Sequence, residues 1–190
     1  MIRICRYLKG TLDQGLVFKP SKNVGVDCYV DSDFAGLFGV EDPGDPICAK
    51  SRTGYVILIA DCLLTWVSKL QREIALSTQH AEYVALSQAL RDLLPIRELV
   101  EKVCKIMEIT KQGMQFVFRS TCFEDNAACL SLATMKRITP QNRHIATKYH
   151  WFRSHVGSLI EIVKVETDKQ KADIFTKNLK ANTFRAIRLL

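Results

Sequence analysis

The chain has 190 residues, seven cysteines and a formal net charge of +7, from 27 basic and 20 acidic side chains. With 47% hydrophobic and 25% charged residues it can bury enough apolar surface to offset its ordering entropy, which excludes disorder as the main state. Its longest apolar runs, such as 55–60, fall far short of the ~18 residues of a membrane-spanning helix, and no signal-peptide pattern opens the chain.

One domain of about 150 residues with a short appendage is the size reading. Residues 1–23 give a short basic helix, a break at Gly10–Thr11 and a few apolar residues ending at Pro20. They are too few to own a core and read as the tail of something upstream. In VGVDCYVDSDFAG, Val24, Val26, Cys28 and Val30 alternate with polar positions, which predicts a half-buried strand stopping near Asp31. A long Gly-, Pro- and acid-rich excursion follows. Apolar runs at 53–60 and 63–69, split by Asp61–Cys62, predict a hairpin, so the first three strands form an antiparallel meander.

Ser77 or Thr78 can cap a helix, because a hydroxyl there accepts an orphan amide of the first turn. Ala81, Ala85, Leu86, Ala89, Leu90, Leu93 and Leu94 fall on one helical stripe. Pro95 is expected to end that helix and start another, with Ile96, Leu99, Val100, Val103 and Ile106 inward. MQFVFRSTCFEDN reads as a fourth strand, AACLSLATM as a short helix, 145–156 as a further helical element, LIEIVKVETD as a fifth strand over 161–166, and KQKADIFTKNL as a closing helix. The order predicts an α/β sheet whose later strands are returned by helices.

The odd cysteine count and the lack of any CxxC spacing point to reduced, partly buried thiols. The charge is uneven. From Asn126 to Ile160 there is no Asp or Glu, while Lys136, Arg137, Arg143, Lys148 and Arg153 lie there with His144, His150, His155 and Trp151. Such a block is the footprint of a polyanion partner. Four acids stand at junctions: Asp31 at the end of the first strand, Glu82 in the first turn of the main helix, Asp125 at the end of the fourth strand and Asp173 at the start of the last helix. Taken singly, each can be a turn former, a cap or a dipole partner. Together they suit divalent cations, and Mg²⁺ takes a few such carboxylates and keeps its waters.

The strings YVDSDFAG, KSRTGYVILIADCLLTWVSK, ALSTQHAEYVALSQALRDLLPIREL, EDNAACLSLA, RHIATKYHWFR and KADIFTKNL, in this order over nearly the whole chain, resemble the ribonuclease H segment of Ty1/copia-type retrotransposon Pol polyproteins. RYLKGTLDQGL resembles the linker from the reverse transcriptase, which assigns 1–23 to that linker, 24–180 to the ribonuclease H-like domain and 181–190 to a tail. The resemblance implies a five-stranded mixed sheet flanked by helices. It implies hydrolysis of the RNA strand of an RNA–DNA hybrid by two Mg²⁺ (or Mn²⁺), with Asp31, Glu82, Asp125 and Asp173 as catalytic metal ligands. Asp33 rivals Asp31, since residues two apart in a strand face the same side. Lys136, Arg137, Arg143, Lys148 and Arg153 are the expected phosphate contacts. The implied partners are the hybrid and the reverse transcriptase of the same polyprotein, without membrane or small-molecule cofactor, in a cytoplasmic virus-like particle or the nucleus. The alternative is a truncated, inactive remnant.

Overall fold

The computed structural model describes residues 2–22, 25–42, 44–107, 118, 120–135, 145 and 147–189. Helix α1 spans Ile2–Lys9. Strands β1 (Val26–Asp33), β2 (Arg52–Ile59) and β3 (Cys62–Leu70) form the antiparallel meander. The β2–β3 turn is Ala60–Asp61, with both φ angles positive at 48° and 65°, the conformation of a tight hairpin turn that matches the strand twist. Helix α2 (Thr78–Ile106) follows, then β4 (Ser120–Glu124), α3 (Ala127–Thr134), β5 (Glu161–Lys164), α4 (Asp173–Thr176) and α5 (Ala181–Leu189). The sheet order is β3-β2-β1-β4-β5, with β4 parallel to both β1 and β5.

One face of the sheet carries the core. Val26, Cys28 and Val30 of β1, Tyr55 and Ile57 of β2 and Cys122 of β4 meet Tyr83, Leu86, Ala89, Leu90 and Leu93 of α2, with Cys129 and Leu132 of α3 and Phe152 beside them. Fully burying side chains of this size is worth roughly 1.5–3 kcal/mol each. The opposite face of β2 receives α4. A Cβ added to Gly54 would lie 2.5 Å from Thr176 Cγ2, 3.0 Å from Phe175 Cβ and 3.2 Å from the Ala172 carbonyl, so only glycine admits the helix this close.

Several sequence expectations change. Pro95 lies inside a continuous α2 and starts no second helix. A proline forfeits one backbone hydrogen bond, and the anchored first half of α2 carries the helix through it. Beyond Pro95 only Ile96 and Val100 of the expected stripe pack on the core, while Leu99, Val103 and Ile106 are exposed. Ser77 is the N-cap, its Oγ accepting from His80 N at 3.1 Å, which moves Glu82 from the first helical turn to the second. The element expected over 145–156 is two 3₁₀ turns, Thr147–Tyr149 and Trp151–His155. β1 runs on to Asp33, and β5 stops at Lys164. The closing helix shrinks to the four residues of α4, and the last ten residues supply α5, which buries Ile187 and meets α1 through an edge-on Tyr7–Phe184 contact. Val24 and positions 114–117 and 119 of the expected strands lie outside the described residues. All seven cysteines are free, five of them buried. No described helix is long and apolar enough to cross a membrane.

Candidate active site

β1 and β4 are parallel neighbours with Tyr29 opposite Phe123. Two residues beyond that pair lie Asp31, still within β1, and Asp125, just past the end of β4. β1 leaves here into the loop to β2 and β4 into α3, so the two strands part at the carboxyl ends, where α/β sheets place their ligands. Asp31 is fully buried. Glu82 reaches the same point from α2, whose start is pinned by Gln71. The buried Gln71 Nε2 donates to Ala81 O at 2.9 Å and Thr53 Oγ1 at 3.1 Å, with Ser32 Oγ at 3.4 Å. The result is a cluster in which Asp31, Glu82 and Asp125 each offer an oxygen within 4.8 Å of the others.

Asp173 joins from the far side through a lysine. Lys177 Nζ lies 2.7 Å from Asp173 Oδ1 and 3.0 Å from Asp31 Oδ1, and Thr176 Oγ1 donates to Asp31 Oδ2. This segment is docked firmly. Gln170 Nε2 donates to Val30 O at 2.9 Å and Ser68 Oγ to Phe175 O at 2.6 Å. Asp33, the rival of Asp31, lies at the partly exposed end of β1 and outside the cluster of three.

Glu124 is fully buried next to Asp125, and sequence reasoning missed it. Its Oε1 accepts from Asn126 N at 3.1 Å, while its Oε2 has no partner among the described residues. Its carboxyl is pushed well up, first by burial and then by Asp125 and Asp31. Glu82 is pushed up to about 11 by burial and by Glu124, Asp31 and Asp125. Asp173 rises to about 6, mainly through burial. Burial opposes the charge on Lys177, but Asp31 and Asp173 outweigh it and hold the ammonium above the ordinary lysine range. Thr176 and Lys177 were also missed. The spacing of four between Asp173 and Lys177 was the available signal, since such pairs meet on a helix.

Glu82 Oε2 is buried and unpartnered among the described residues. Five acids crowded together, two of them (Glu82 and Glu124) with an orphan oxygen, are costly without added positive charge, and an all-oxygen donor set fits a hard ion such as Mg²⁺. The basic block is only partly placed. Lys136, Arg137, Arg143 and His144 lie outside the described residues. Lys148 pairs with Glu73. Arg153 is partly buried, and its Nη2 has no partner among the described residues. His150 is packed rather than free, with Nδ1 2.9 Å from the Tyr83 hydroxyl. Trp151 Nε1 donates to Ser87 Oγ at 3.0 Å, tying the block to α2.

LC11-RNase H1, isolated from compost, superposes with a TM-score of 0.51 at 17% identity, over 80% of this chain and 92% of that one. The fold is therefore that of ribonuclease H. No protein-family model matches. The chain is 28% identical over 188 residues to the retrovirus-related Pol polyprotein from transposon TNT 1-94 of Nicotiana tabacum, covering 98% of this chain. It is 29% identical over 184 residues to that from transposon RE2 of Arabidopsis thaliana, covering 96% of this chain. It is thus a homologue of retrotransposon Pol polyproteins along nearly its whole length, and spans 13% and 12% of those two.

Proposed function

We propose that this chain is a divalent-metal-dependent ribonuclease H that cleaves the RNA strand of RNA–DNA hybrids during retrotransposon reverse transcription. The observation that carries this is the convergence of Asp31, Glu82 and Asp125 within 4.8 Å at the ends of two parallel strands. Asp31, Glu82 and Asp125 would hold one Mg²⁺, and Asp31 with Asp173 a second once Lys177 gives way. Bound there, such ions lower the pKa of a water and neutralise charge on the leaving oxygen. The protein's own groups set the rest. Thr176 fixes the orientation of Asp31 through its hydroxyl. Asp125 is partly exposed, which leaves it within reach of a substrate phosphate.

No side-chain nucleophile is required. Substrate grip is assigned to phosphate contacts by Lys136, Arg137, Arg143, Lys148 and Arg153 and to the shape and 2′-hydroxyls of the hybrid. Lys148 gives up only a solvent-exposed pair with Glu73 to reach a phosphate. Residues 24–180 are read as the nuclease unit and 1–23 as the link to a reverse transcriptase partner, acting in a cytoplasmic particle of the element.

The test is cleavage of a labelled RNA–DNA hybrid with Mg²⁺, Mn²⁺ or chelator, beside single-stranded RNA and duplex DNA. Metal-dependent loss of the hybrid's RNA strand alone is expected, with Asp125→Asn lowering the rate by roughly 100-fold or more, the loss of at least about 2.7 kcal/mol of barrier lowering. A folded protein that leaves the hybrid intact, or an unchanged rate in Asp125→Asn, would refute the assignment.

A further inference from the structure

Asp31 is shared. It belongs to the cluster of three carboxylates, and its Oδ1 also lies 3.0 Å from the Lys177 ammonium, which reaches Asp173 Oδ1 at 2.7 Å. The lysine is held in place by its backbone. Its N–H donates to the Asp173 carbonyl at 2.9 Å, at the end of an α4 that is seated on Gly54 and tied to Ser68. Its side chain is one-third exposed, at 34%, whereas that of Asp31 is 1% exposed. The ammonium therefore has a way out toward solvent, and Asp31 has none.

We propose that Lys177 is the resident counter-cation of this site, occupying the position between Asp31 and Asp173 and competing with a divalent ion for Asp31. The inference rests on reading the acidic cluster as a divalent-ion site. Lys177 is a positioning residue. It offsets the repulsion between Asp31 and Asp173 when no ion is bound, and it sets how strongly ions are taken up. Like charges at these separations repel by kilocalories even in a partly screened site. Removing the ammonium therefore strengthens ion binding, whereas removing a purely structural contact loosens the ligands and weakens it. The two roles predict opposite signs.

The experiment is a calorimetric Mn²⁺ titration of the full chain without nucleic acid. Lys177→Met is expected to bind Mn²⁺ about tenfold tighter or more than wild type, and Lys177→Arg, which keeps the charge, to stay within about twofold of it. Equal or weaker binding by Lys177→Met overturns the proposal and leaves the ion site standing. No Mn²⁺ binding by any of the three overturns the ion-site reading itself. A second measurement needs no substitution. The Lys177 ammonium resonance, followed by NMR on wild-type protein, is expected to shift or disappear as Mg²⁺ is added. A resonance unmoved at saturating Mg²⁺ overturns the competition.

Discussion

Glu82 shows what it costs to bury a single carboxyl among other acids. Burial, Glu124, Asp31 and Asp125 push its carboxyl from 4.5 up to about 11. In the ion-free protein the folded chain then holds a proton that the unfolded chain releases above about 4.5, so stability falls as pH rises from there toward about 11. Asp173, raised from 3.8 to about 6, adds a loss confined to that lower window. Melting in chelator is expected to move to lower temperature between pH 5 and 9. Glu82→Gln should flatten that slope and raise the midpoint at pH 8 by about 4–8 °C, the scale of about 2 kcal/mol in a chain of this size. An identical slope in the variant would show that Glu82 is not the group responsible. Asp31, Glu82, Asp125 and Asp173 could be picked out because acids at strand ends and helix starts are conspicuous beside apolar neighbours. Glu124 and Gln71 could not. Nothing in a single sequence says that a glutamate one residue earlier turns into the core, or that a glutamine before the main helix reaches back to pin its start.

Among the elements, α2 carries the clearest unresolved cost. Pro95 sits in its interior, where it lacks an N–H for the carbonyl of Arg91 and crowds that turn. Pro95→Ala is expected to raise stability by roughly 1–3 kcal/mol, read as a higher denaturant midpoint with an unchanged slope. No gain would mean that Pro95 stabilises through the packing of its ring. Proline was legible as a breaker, but its effect was overridden by the buried residues from Ala81 to Leu93, which fix the helix axis before Pro95 is reached. The hairpin, by contrast, was legible to within a residue, because alternation and the Asp61–Cys62 interruption act locally. The short α4 was not. Four residues carry too little periodicity, and its placement depends on Gly54, more than a hundred positions away, being small enough to receive it.

At the level of the whole molecule, the charge of +7 is gathered partly in a block without acids over 126–160. If Lys148, Arg153 and one more residue of that block contact phosphates, raising salt from 50 to 200 mM should weaken hybrid binding by roughly 10–100-fold. A flat response would remove the block from the interface. The antiparallel first half of the sheet and the helices between its later strands followed from the element order, whereas the strand order, the meeting of the two chain ends through Tyr7 and Phe184, and Arg188 with Gln14 at 2.7 Å, had no counterpart in the local pattern. The parallel pairing of β1 with β4 has one more consequence. Asp31 and Asp125 each lie two residues beyond the last paired residues, Tyr29 and Phe123, so main-chain pairing with a strand spacing of about 4.8 Å brings their backbones side by side. A single inserted residue in β4, which would turn Glu124 outward and Asp125 inward, would dismantle the site at one stroke.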